Sequence, residues 1–171
     1  MARTSDLIRT IGNAIVDALR PRRTRRPGTP TAPRRRRGSY PGDYPGRPRI
    51  SYDPHPGTLA DPGEVVWTWV PFEEDHSRGK DRPVLVIGRD GDWLLGLPLT
   101  SRDHDLDAAQ EAQEGRYWVE LGRGSWDSSG RVSEVRVNRI VRVDPGAVRR
   151  VAGRLDKARF DRVAAAVRRY A

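Results

Sequence analysis

Arg82 stands directly before Pro83 at the head of the apolar run PVLVI, and Thr100 and Ser101 stand directly after the apolar run WLLGLPL. A guanidinium presents a rigid fork of N–H donors that matches the oxygens of a phosphate or carboxylate. A threonine hydroxyl both donates and accepts, so it can hold an anion or orient a neighbouring hydroxyl. If the two runs are paired strands, one begins at Arg82 and the other ends at Thr100, so both side chains gather at one end of a hairpin. The bland alternative is that Arg82 is a solvated strand start and Thr100 a turn residue. Two of the three histidines, His76 and His104, fall in polar loops. Histidine is a common acid or base in catalysis, but exposed loop histidines are the commoner case. No HExxH pair or similar ligand spacing exists, so no metal site is expected. The chain has no cysteine. That removes disulfides, thiolate chemistry and cysteine metal ligands, and suits a reducing compartment such as the cytoplasm.

The elements that must position these residues follow from Gly63 onward. GEVVWTWVPF is apolar, β-branched and aromatic, and reads as a strand. FEEDHSRGKD is a polar loop. PVLVIG and DWLLGLPLT are two further strands joined through RDGD, whose Asp-Gly step is a strong hairpin signal. SRDHDLDAAQEAQEG reads as a long polar loop containing at most a helical turn. RYWVEL is a fourth strand, RGSWDSSGR a loop, and VSEVRVNRIVRV one or two strands. The end is helical: Phe160, Val163, Ala164, Val167 and Tyr170 recur near a 3.6 period. Asp156 is a suitable N-cap, with Leu155 and Phe160 at the two positions of a hydrophobic staple. The expected class is α+β, mostly antiparallel strands with a closing helix.

Before this domain the composition changes. Ten of the 14 prolines lie between Pro21 and Pro62. Residues 1–62 hold 13 Arg, no Lys and 5 Asp, a net of +8, whereas residues 63–171 carry a net of only +1. Residues 21–62 therefore read as a disordered Pro/Arg-rich linker that cannot bury enough apolar surface to offset its ordering entropy. Its arginines could contact nucleic acid or an anionic membrane, or simply keep the chain solvated. Residues 1–20 include SDLIRTIGNAIVDALR, a short amphipathic helix pattern with Leu7, Ile11, Ile15 and Leu19 on one face. Polar residues interrupt it too often for a secretory signal, and no apolar run is long enough to span a bilayer.

The globular part resembles a known family. GEVVWTWVPFEEDHSRGKDRPVLVIG is similar to the opening of the MazF/PemK family of toxin endoribonucleases, with Gly63, Glu64, Trp67, Arg82 and Pro83 in the family's places. LPLTSRDHD matches the family strand that ends in a Pro-x-Thr step. SEVRVNRIVRVDP matches a late strand, and LDKARFDRVAAAVRRY the closing helix. The four stretches occur in the family's order over residues 63–171. The resemblance implies a strongly curved antiparallel sheet of SH3-like barrel type, usually paired as a homodimer. It implies cleavage of single-stranded RNA without a metal or other cofactor, by attack of a ribose 2′-hydroxyl on the adjacent phosphate. It also implies a cognate antitoxin as protein partner. The family's arginine carries over to Arg82 and its threonine to Thr100, and Ser77, Arg78, Lys80, Ser101, Arg102 and His104 become candidate RNA contacts. Some members have a first-loop glutamate five residues before the arginine. Here that place is Ser77, with Glu73, Glu74 and Asp75 near but out of register. Trp126 and Tyr117 are candidate base-stacking platforms or, equally, packing aromatics. A non-catalytic relative that binds protein or nucleic acid through the same groove remains the alternative, with the basic N-terminal extension as a tether.

Overall fold

Three strands lie at the centre of the sheet because their side chains are apolar at consecutive positions and both of their faces are covered. They are β1 (Glu64–Pro71), β2 (Gly79–Asp90) and β3 (Trp93–Thr100). The computed structural model describes residues 39–101 and 108–171. Val65, Leu85, Leu95, Leu97 and Leu99 point to one face and join the main core; Val66, Val70, Val84, Val86 and Leu94 point to the other and build a second, smaller one. A strand buried on both sides reads as a continuous apolar run, which is what the sequence displays.

The hairpin between β2 and β3 is tighter than the RDGD signal implies. Asp90 pairs directly with Trp93, so the loop is Gly91-Asp92, with φ of +58° at Gly91. A glycine at the first central position of a two-residue loop is the type II′ pattern, whose twist suits paired strands. β2 is also longer than PVLVIG, because its polar first residues pair with β1: Arg82 lies opposite Thr68 and Lys80 opposite Val70.

The remaining strands are β4 (Trp118–Gly122), β5 (Ser133–Arg136), β6 (Val141–Val143) and β7 (Arg150–Arg154). All pairings are antiparallel, in the order β4-β5-β3-β2-β1-β7, with β6 also on β3. β3 takes β6 along Leu94–Gly96 and β5 at Leu99–Thr100, so two short strands share one edge. Register shifts at Val86/Gly88, Val65/Val66 and Glu120/Gly122 insert extra residues that bend the strands. The sheet stays open, with β4 and β7 as its ends. This corrects the expectation of a closed barrel. The open end at β4 is met by a helix: Arg159 donates to the carbonyl oxygens of Leu121 and Arg123.

That helix, α2 (Lys157–Tyr170), begins where the pattern places it. The Asp156 carboxylate accepts from the Arg159 amide at 2.9 Å, and Leu155 and Phe160 lie in the same buried cluster. The polar loop before β4 contains a short helix, α1 (Ala108–Gln113). β7 was not expected from the sequence. VRRVAGR has no alternation of apolar and polar residues and owes its strand form to pairing with β1.

Packing also starts before residue 63, which revises the linker expectation for residues 39–62. The Ser51 amide donates to Ile87 O at 3.0 Å, the Tyr44 amide to Ile140 O at 2.7 Å, and the Tyr52 hydroxyl to Leu155 O at 2.8 Å. Tyr44, Ile50 and Tyr52 pack against the main core. Residues 39–62 thus form an arm laid on the sheet. Gly88 permits this, since a Cβ there would collide with the Arg49 carbonyl oxygen. The predicted helix in residues 1–20, the linker's first part to residue 38, and Arg102 and His104 lie outside the described residues. Among the described residues no helix is long and apolar enough to cross a membrane.

Candidate functional site

Val84 lies opposite Pro98 in the β2–β3 ladder. Continuing that register outward by two residues on each strand sets Arg82 against Thr100. Both residues line a cleft of about 720 Å³ and also a smaller hollow of about 290 Å³. Lys80, Ser101 and Arg131 line both as well. Arg82 and Thr100 therefore stand where two hollows meet, with open space on either side of the pair. Thr100 also pairs with Glu134 of β5, so the two side chains share a face of that ladder. Glu134 is only 5% exposed, which makes it a buried carboxylate beside the threonine.

Charge in the larger cleft is one-sided. Lys80, Arg82, Arg131, Arg136 and Arg139 line it against Glu73 and Glu74. Several of these cations are held in place. Arg136 grips Glu73 through two bonds, of 2.6 and 3.1 Å. The hydrogen bonds from Arg136 hold the Glu73 carboxyl below the usual carboxylate range, against a smaller opposing effect of burial. Arg139 donates to Asp43 of the arm and to Pro71 O, each at 2.8 Å. Arg131 pairs with Asp127 at 3.1 Å. Trp118, also on the rim, donates its indole N–H to Glu111 at 3.1 Å. A cleft whose lining holds more cations than carboxylates, with the Thr100 side chain among them, is suited to hold a phosphodiester.

The other sequence candidates separate. Lys80 and Ser101 join Arg82 and Thr100 at the cleft. Ser77 does not. Its amide and hydroxyl both donate to Asp75 Oδ1, at 2.9 and 2.6 Å, and it faces a different cavity with His76. Arg78 lies over the Phe72 ring, 5.8 Å from its centre. Trp126 is 2% exposed and donates its indole N–H to Ser133 Oγ at 3.0 Å, so it is a packing residue and not a stacking platform. Tyr117 stacks on Tyr170 of α2 at 4.3 Å between ring centres, which again assigns it to packing. Arg131, Arg136 and Arg139 entered the cleft unannounced, and Glu73 and Glu74, noted only as out of register with the family's first-loop glutamate, line it too. Arg136 sat on the polar side of a predicted strand, and that was the available signal. Among the described residues no three His, Cys, Asp or Glu side chains gather as a metal-binding group.

Fold and cleft together define a small α+β protein whose bent, open antiparallel sheet carries a basic cleft at the ends of two central strands. The sequence model of the family described as PemK-like, MazF-like toxin of type II toxin–antitoxin systems matches residues 61–171, and the chain belongs to that family. No curated protein matches the chain. Among solved structures, a chain of the MazE–MazF crystal structure from Deinococcus radiodurans is 17% identical, with a TM-score of 0.43 over 64% of this chain and 92% of its own. The Mycobacterium tuberculosis toxin MazF-mt6 is 16% identical, with a TM-score of 0.42 over 63% of this chain and 94% of its own.

Proposed function

We propose that the protein is the toxin of a type II toxin–antitoxin pair and acts in the cytoplasm as a metal-independent endoribonuclease on single-stranded RNA. The observation that carries this reading is the placement of Arg82 and Thr100 together at the meeting point of two hollows in a chain of the PemK/MazF family. In the reaction a ribose 2′-oxygen bonds to the adjacent phosphorus and gives up its proton. The bond from phosphorus to the 5′-oxygen breaks, and that oxygen gains a proton. The products are a 2′,3′-cyclic phosphate and a 5′-hydroxyl. Arg82 supplies fixed donors to the nonbridging oxygens, where negative charge builds at the pentacoordinate stage. Thr100 donates to the phosphate and accepts from the 2′-hydroxyl, which aligns the attack. Lys80 and Ser101 hold the flanking phosphates.

The same reading assigns a homodimer through the domain, in line with the two-fold symmetry of most soluble oligomers, and an antitoxin protein that covers the cleft. The test is incubation of the purified chain with a long RNA in EDTA. Fragments ending in 2′,3′-cyclic phosphate support the ribonuclease. Intact RNA that is nevertheless bound would replace it with a non-catalytic binding protein.

A further inference from the structure

A cavity of about 450 Å³ shares Pro71 with the cleft and is lined by aromatic rings. Trp69 comes from β1, Trp93 from the start of β3, His76 and Ser77 from the loop between β1 and β2, and Tyr40 from the arm. Tyr40 is firmly placed. Its hydroxyl donates to Asp43 at 2.6 Å and accepts from the Arg142 amide at 3.2 Å. Its ring meets His76 edge-on at 5.0 Å. Arg142, also in the wall, is committed to structure: it bonds Asp90 and the carbonyl oxygens of Gly42 and Asp43. The arm that supplies Tyr40 precedes residue 61, so this wall lies outside the stretch that defines the family.

We propose that this cavity is a nucleobase subsite, taking one unstacked base of the RNA strand that lies in the cleft; the inference rests on the ribonuclease reading. Aromatic rings are the usual platforms for unstacked bases, and here two tryptophans, a tyrosine and a histidine contribute to the wall of one hollow, with the Trp69 ring laid over Gly79. A phosphate would find little there, because the one arginine of the lining is already engaged with Asp90 and the arm. Polar atoms for a base edge are present: the Ser77 hydroxyl oxygen, whose proton goes to Asp75, and the Asp144 carboxylate, which also accepts from the Gly146 amide at 2.9 Å and has room for more than one donor. Continuity is built in through the loop after β1. Its Glu73 and Glu74 line the cleft while His76 and Ser77 line the cavity, and Pro71 borders both. A strand that leaves the cleft over Pro71 therefore delivers a base to the aromatic rings.

The experiment pairs a base deletion in the ligand with a ring deletion in the protein. A 2′-O-methyl oligoribonucleotide lacks the attacking hydroxyl, so affinity is read without cleavage, and an abasic residue is moved along it one position at a time. One position should cost the wild-type chain roughly tenfold in affinity, a typical loss for one stacked base. The same position should cost the Trp93→Ala variant little further, since the ring that base stacks on is already gone. Tyr40→Leu, on the arm that also lines the cavity, should show the same loss of coupling and serves if Trp93→Ala does not fold. If every abasic position costs the variants what it costs wild type, the cavity is not a base site, although wild-type cleavage of ordinary RNA would leave the ribonuclease reading standing. If wild type neither cuts RNA nor binds the oligonucleotide, both readings fall. If the variants bind RNA normally but lose an antitoxin peptide, the cavity is a protein-docking pocket and the proposal fails.

Discussion

Replacing Arg82 removes a donor that works only while charge develops on phosphorus. Arg82→Ala should lower the rate on bound RNA by roughly 10²–10³-fold, the usual effect of deleting one preorganised donor. Thr100→Ala should weaken it less, and Arg82→Lys should not restore it, because a point charge cannot reproduce the planar fork. Single-turnover cleavage at saturating RNA measures this, and a wild-type rate in Arg82→Ala would return the pair to a plain hairpin end. Glu73 gives a second prediction. It neutralises Arg136 on the cleft rim, so Glu73→Gln should free a cation, tighten RNA binding several-fold and steepen its log–log salt dependence by about 0.7. Its folded-state carboxyl titrates below the usual range. The pair is therefore complete above the ordinary carboxylate range and opens as pH falls through the lowered value. Wild-type affinity should rise toward that of Glu73→Gln over that acidic window, and affinities measured against pH would reveal it. Because the Glu73 side chain is 53% exposed, little folding stability accompanies the change. At this scale Arg82 and Thr100 were legible because each abuts an apolar run that can only be a strand. Arg136 and Arg139 were not, because what brings them to Glu73 and the cleft is the bending of separate elements, which no local spacing records.

Among the elements, the central strands and α2 were legible because burial on both faces, or on one helical stripe, writes itself directly into residue order. The arm was not. Averaged over residues 21–62, proline and arginine dominate and disorder follows from composition. The repeated YPGD/YPGR steps and Ile50-Ser51-Tyr52 carry the anchors that escape this average. β7 was hidden for a different reason, since an edge strand with Arg150 and Arg154 exposed needs only a backbone partner. The closed barrel failed as an expectation because β5 and β6 are four and three residues long and the helix meets the β4 end instead. Gly88 tests the arm as an element. Gly88→Ala puts a methyl group onto the Arg49 carbonyl, so it should cost about 1–3 kcal/mol, the usual range for overpacking. It should also release the arm locally, so that the Ser51 amide, bonded to Ile87 O in the wild type, exchanges its hydrogen much faster. Unchanged protection at Ser51 with unchanged stability would mean the arm does not rest on the sheet.

For the molecule as a whole the question is where its charge acts. The chain carries +9, but residues 1–38 hold 11 of its 32 basic and 2 of its 23 acidic residues, leaving 21 of each sign in residues 39–171. Residues 39–171 are neutral overall and attract a polyanion only through their local cleft, while the net positive charge sits in residues 1–38. Two truncations should therefore separate binding from folding. Removal of residues 1–38 should weaken RNA affinity and flatten its salt dependence, by about 0.7 in slope for each phosphate that is no longer neutralised. It should leave the melting temperature and the saturating cleavage rate close to those of the full chain. Removal of residues 1–62 should do more, because Tyr44, Ile50 and Tyr52 leave the main core, and the Ile87, Ile140 and Leu155 carbonyls lose their partners. Each buried aromatic ring or branched side chain contributes on the order of 1.5–3 kcal/mol. Even half of that, appropriate for partly exposed groups, is a large share of a small domain's stability. The shorter chain should melt well below the longer one and lose catalytic rate as Arg139 loses Asp43. Thermal melts and cleavage rates of the two truncations, side by side, decide the matter. Equal melting temperatures would show that the domain begins at residue 63 and that the arm is an ornament.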